Sequence, residues 1–343
     1  MRSFRLGFAG IYLFLCVGRL SASSHWQADG AISIGGEGGW DYALVQPEAD
    51  RLYVAHQSRV VVIDLKSRKE IGSIPGEGVH GTALAPELNR GFVASGKDGT
   101  VRIFDLVTLQ AVGMVPAAPD ADAICYEPVS RRVFSFNGDS QSATVIDAVE
   151  GKSLGDLPLG GKPEFARADG HGSLFANLED KDEVVKIDGA SRTITATWPL
   201  PAGSSPSSMA IDAADGRLFV GCRNQTLLVL DDASGKIVAT LPVGKGIDAS
   251  VYDPKGRRIF SSCGDGTMTV IRQNSADSYA VAEVLPTAPH AHTMAFDPDT
   301  ETLYVPSARF GPVPDPTPEN PKPRPPVIPG SFQILVFTPA ASS

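Results

Sequence analysis

"RLYVAHQSRVVVID", Arg51 to Asp64, sets two apolar runs on either side of a short polar break. Runs this short, rich in β-branched and aromatic side chains, read as two strands of a hairpin rather than a helix. The first run returns six times along the chain. "RLYVAH" at Leu52 is followed by "RGFVAS" at Gly91, "RVFSFN" at Val133, "SLFANL" at Leu174, "RLFVGC" at Leu218, "RIFSSC" at Ile259 and "TLYVPS" at Leu303. Successive intervals are 39, 42, 41, 44, 41 and 44 residues. A period near 40 to 45 made of short strands predicts propeller blades, each a four-stranded antiparallel sheet.

Around that run every unit repeats the same parts. An inner strand precedes it, as in "YALVQP", "GTALAP", "ASVYDP" and "TMAFDP". A third strand follows, as in "VVVIDL", "VRIFDL" and "LLVLDD", then a fourth such as "EIGSIPG" or "KIVATLPVG". Asp98-Gly99 and Asp265-Gly266 supply the dipeptide that hairpin turns favour. The seventh unit ends after its third strand, "FQILVFTP" (Phe332 to Pro339), while "QADGAISIGG" (Gln27 to Gly36) is an outer strand with no unit of its own. Pairing the two closes a ring and removes an exposed sheet edge. The expected fold is therefore all-β: one seven-bladed propeller closed by its amino-terminal strand.

"RLYVAHQSRVVVIDL", "KPEFARADGHGSLFANLEDKDEVVKID", "SGKIVATLPVG" and "MAFDPDTETLYVP" resemble the YVTN-repeat propellers, in particular YncE-like exported proteins, over essentially the whole chain past residue 24. The resemblance implies a seven-bladed propeller and a periplasmic or extracellular address, with little chemistry attached. It also implies single-stranded DNA as an alternative ligand.

The amino terminus reads separately. "MRSFRLGFAGIYLFLCV" places Arg2 and Arg5 before a short apolar run, and small residues follow in "SASS". That order predicts a signal peptide over residues 1–24 and an exported domain over 25–343, with no membrane span once the leader is removed. The formal net charge is −9, and loss of Arg2, Arg5 and Arg19 with the leader makes it three units more negative. Such a chain repels nucleic acid at long range, and no Lys/Arg run offsets this. Cys125, Cys222 and Cys263 are an odd number in an exported chain, so free buried thiols are expected. A monomer is the expected state.

Two sets of polar residues recur. Asp64, Asp105, Asp147, Asp188 and Asp231 each end a third strand, where an Asp side chain accepts backbone N–H groups of the following turn. Six positions before the end of each inner strand, marked by proline in most units, lie Asp41, His80, Asp122, Ser207, Asp248 and His292, and Glu164 takes the place in the fourth unit. Inner strands line the central channel, so these side chains are expected to gather at one mouth as a ligand-binding ring. Trp40, His56, His290 and Arg309 belong to the same face. Carboxylates and imidazoles are divalent-cation ligands, which makes His80, Asp122, Glu164, Asp248 and His292 metal candidates and a divalent cation the one cofactor these residues would suit. A proline-rich insertion, residues 309–330 within "ARFGPVPDPTPENPKPRPPVIPGS", is expected as stiff coil beside that mouth, unable to pair into a sheet.

No G-x-S-x-G, H-E-x-x-H, P-loop, C-x-x-C or haem-attachment motif is present. The favoured function is thus a non-enzymatic binding or scaffold propeller that recognises a protein or small polar ligand on its loop face. The alternative is a metal-dependent, lactonase-like hydrolase or lyase using the acid and His ring.

Overall fold

A computed structural model describes residues 26–317 and 320–340. The expected leader lies outside them. The described residues form seven four-stranded antiparallel sheets. The inner strands are Trp40–Gln46, Val79–Ala85, Ala121–Glu127, Pro163–Ala168, Pro206–Asp212, Ile247–Asp253 and Ala295–Asp297. Each packs against the next, and the seventh returns to the first, so the sheets stand around one channel. The molecule is a seven-bladed β-propeller.

The repeated second strand shows why the ring holds. In Arg51–His56, Leu52 and Val54 pack against the seventh blade, while Tyr53 and Ala55 pack against the second. Alternate residues therefore serve opposite neighbours, and a strand buried on both faces reads as a continuous apolar run. The aromatic of each repeat, Tyr53, Phe92, Phe134, Phe175, Phe219, Phe260 and Tyr304, wedges against the following blade and is buried every time. The core is thus a circle of apolar interfaces, one between each pair of neighbours.

The closing strand Trp26–Ser33 pairs antiparallel with Gln333–Pro339, as expected. Ala31, Ile32 and Ser33 oppose Leu335, Ile334 and Gln333, and Trp26 opposes Pro339. The register shifts between Ala28 and Ala31, where Gly30 takes φ +86°. That positive φ is open to glycine at no cost. Trp26 fills the seam edge-on to Phe260 at 4.7 Å.

Loops divide cleanly between the two faces. The turns after the third strands are capped by aspartate: Asp64 accepts from Ser67 N, Asp105 from Thr108 N, Asp147 from Glu150 N, Asp188 from Ser191 N and Asp231 from Ser234 N. Loops between middle strands bond instead to the segments leading into inner strands, for example Gly96 N to Gly78 O at 2.9 Å and Lys162 N to Asp180 Oδ1 at 2.6 Å. Both kinds of loop therefore crown the same end of the channel.

The insertion departs from expectation at its root. Phe310 and Val327 form an antiparallel bridge, with Gly311 N donating to Pro326 O and Ile328 N to Arg309 O. Proline lacks only a donor. Its carbonyl still accepts, and the non-proline residues beside it supply the N–H groups. Cys125, Cys222 and Cys263 are buried free thiols, and burial pushes them up to about 11, 12 and 12. Among the described residues no helix is long and apolar enough to cross a membrane.

Candidate functional site

Asp41, His80, Asp122, Glu164, Ser207 and Asp248 are each the second residue of an inner strand. A shared register in radially arranged strands places them at one height, and all six line a cavity of about 190 Å³ at the loop-face mouth. Tyr42, Asp120, Lys162, Phe165 and Thr293 complete the wall.

The tightest grouping is Asp41, His80 and Asp122. His80 Nδ1 lies 2.5 Å from Asp41 Oδ2 and 3.3 Å from Asp122 Oδ1, and one ligand atom from each of the three falls within 4.8 Å of the others. The backbone makes room for this. A Cβ on Gly96 would stand 2.9 Å from His80 Nε2 and 3.2 Å from the Ala121 carbonyl, and one on Gly81 would stand 2.8 Å from the Asp122 carbonyl. The 2.9 and 2.8 Å contacts are closer than real Cβ atoms tolerate without neighbouring atoms shifting, and the 3.2 Å contact is tight.

Electrostatically the mouth has more carboxylate than cation. Burial, then the Asp41 and Glu164 charges, holds Asp122 well above the usual carboxylate range. Burial likewise raises Asp248, with His292, Arg223 and the Thr293 amide offsetting part. Glu164 is pushed up to about 8 by burial and by the adjacent Glu179 carboxyl, although Arg223 Nη2 sits 2.9 Å from its Oε1. For His80 burial acts to lower the imidazole, and the hydrogen bond and charge of Asp41 outweigh it, so the net shift is upward. These shifts share one cause: too few positive charges for the acids crowded into a desolvated space. An imidazole nitrogen with two carboxylate oxygens is a donor set for a divalent cation. A glutamic acid held near 8 is a proton donor at neutral pH.

Other sequence candidates fall elsewhere. Ser207 lines the cavity, but its hydroxyl donates to Ile247 O at 2.8 Å and is committed there. His292 leaves the ring. The seventh inner strand begins only at Ala295, and His290 and Thr293 take φ of +61° and +57°, so counting back from Pro298 misplaces it. Thr293 stands in the wall instead, and the His292 ring stacks on Trp40 at 4.8 Å. Trp40, His290 and His292 border a second cavity of about 480 Å³ beneath the arm, with Phe310, Arg324, Pro325 and Val327. The Arg309 side chain is exposed and lines neither cavity, and its backbone carries the arm's root. His56 is buried, stacked on Phe332 at 4.2 Å, and offers nothing to the surface. Glu164 and Asp248 share the cavity but not the tight trio, which includes Asp41 in their place. Asp120 and Lys162 were not foreseen. Each sits two positions ahead of a recognised residue, outside the strand that register counting follows.

No protein-family model matches the chain, and no curated protein matches it. Among solved structures it is similar to a chain of Kuenenia stuttgartiensis hydrazine synthase, at 15% identity, covering 80% of this chain and 94% of that one with a TM-score of 0.70. What is shared is the fold.

Proposed function

We propose that this protein is an exported binding propeller of the YVTN-repeat, YncE-like kind, which holds a small cationic ligand, in the simplest case a divalent metal ion, at its loop-face mouth. The observation carrying this reading is the convergence of Asp41, His80 and Asp122 within 4.8 Å inside a cavity where burial and neighbouring carboxylates raise Asp122, Glu164 and Asp248. A bound cation relieves that crowding directly. Export is supported by the leader-like residues 1–24, and YncE-like kinship by the repeated strand motifs.

Elemental analysis of unchelated protein, with calorimetry using calcium, manganese and zinc, tests the reading. One ion per chain is expected, and Asp41→Asn or Asp122→Asn is expected to weaken binding at least about tenfold, or 1.4 kcal/mol. Absence of binding at millimolar metal defeats it.

A second reading is favoured by Glu164, whose pKa of about 8 suits a general acid beside a metal. It is a metal-dependent hydrolase or lyase. Turnover of lactone or ester substrates by the metal-loaded protein, lost in Glu164→Gln, would rank it first; silence on such substrates leaves the binding reading in place.

A further inference from the structure

Arg167 stands inside the channel as the fifth residue of the inner strand Pro163–Ala168. It borders a constriction of about 40 Å³ with Tyr42 and Phe165, and also two wider cavities, about 270 and 390 Å³, at the opposite mouth. Those cavities are walled mainly by Leu44, Val45, Ile211, Ile124 and the prolines ending the inner strands.

Its bonding is sparse. The guanidinium packs over the Phe165 ring at 4.5 Å, and its one hydrogen bond among the described residues runs from Nη1 to the carbonyl of Ala166 at 3.2 Å. No carboxylate pairs with it among the described residues. Glu48, at the edge of the larger cavity, accepts from Gln46, and the Tyr126 and Tyr252 hydroxyls are spent on Glu87 and Asp212. The titratable groups nearest its charge are the Cys125 thiol and the Tyr42 phenol, both held neutral by burial. Three other arginines do have carboxylate partners: Arg217 pairs with Asp231 and Asp277, Arg257 with Asp215 and Arg223 with Glu164. A guanidinium has five N–H donors in a planar fork. Arg167 is part-buried, and none of its nitrogens is sealed off without a partner, so its free donors face the open cavities, where an entering anion would supply acceptors.

We infer that Arg167 is an anion-binding residue, taking a small oxyanion that enters from the face opposite the acidic mouth. The planar fork suits a carboxylate or a phosphate, and the surrounding apolar wall strengthens the pairing. The channel is then polar in both senses, cation-seeking at one end and anion-seeking at the other.

Calorimetry and thermal unfolding of the full chain, in Tris chloride at fixed low ionic strength, with sodium acetate and inorganic phosphate as probes, test this. Saturable binding in the low millimolar range or tighter is expected for at least one probe. Binding of both assigns carboxylate-sized oxyanions generally, and binding of phosphate alone assigns phosphate. Arg167→Met is expected to abolish the binding and the accompanying rise in melting temperature, without lowering stability in buffer free of added oxyanion. Arg167→Lys keeps a charge but not the fork, and is expected to weaken binding at least about tenfold. The inference is overturned if neither probe saturates, or if the variants bind as the wild type does.

Discussion

Glu164 occupies the second position of its strand, between Glu179 and the other acids of the mouth, and its carboxyl is pushed up from 4.5 to about 8. Below the ordinary value both folded and unfolded chains carry the proton. As pH rises from there to about 8 the unfolded chain releases it while the folded chain keeps it, so this residue subtracts stability progressively across that window. Glu164→Gln removes the titration. In metal-free protein the variant is expected to match the wild type near pH 4 and to exceed it by about 1–3 kcal/mol at pH 8, read from urea midpoints at both values. Parallel curves would show that the carboxyl ionises normally. Residues of this kind were legible because Asp41, His80 and Asp122 share one register. His292 was misplaced because nothing in "PHAHT" announces the left-handed turns at His290 and Thr293 that take it out of that register. Arg167 was passed over, although "PEFARADG" lacks the proline that ends most inner strands and so marks the fourth blade as different.

At the level of elements, the closing strand is held as much by one side chain as by its ladder. Trp26 is 4% exposed and packs between Phe260 and Phe296, joining the sixth and seventh blades through the closing strand. Trp26→Ala is expected to cost about 3–5 kcal/mol in urea unfolding, because the neighbouring blades cannot collapse into the space. A loss below about 1 kcal/mol would mean the seam is not under load. The second strands were readable because burial on both faces leaves an uninterrupted apolar signature, and the closing strand because the seventh unit lacked a part. The arm's self-pairing was not readable, since rules about proline speak to missing donors and say nothing of its carbonyl.

Across the whole molecule, the arm beyond its root adds little to the core. Phe310 and Val327 tie the arm's root, and Ala308 and Phe332 belong to the core between the seventh and first blades, while Val313 is exposed. Replacing residues 313–324 with a Gly-Ser linker of equal length is therefore expected to shift the melting temperature by no more than about 2–4 °C while unroofing the cavity beside Trp40. A drop beyond about 10 °C would make the arm a structural member.

The seam has a consequence for how the chain is made. Trp26 must find Pro339 across nearly the full length of the described chain, whereas blades recur every 39 to 44 residues. A closure roughly eight times longer than a blade costs about 1.8 kcal/mol more in chain entropy. The amino end comes first, in synthesis as in export, so the strand bearing Trp26 and Ile32 stays unmatched until the last strand follows it. Through that interval two sticky edges coexist, and the chain is most exposed to self-association just before the strand Gln333–Pro339 arrives.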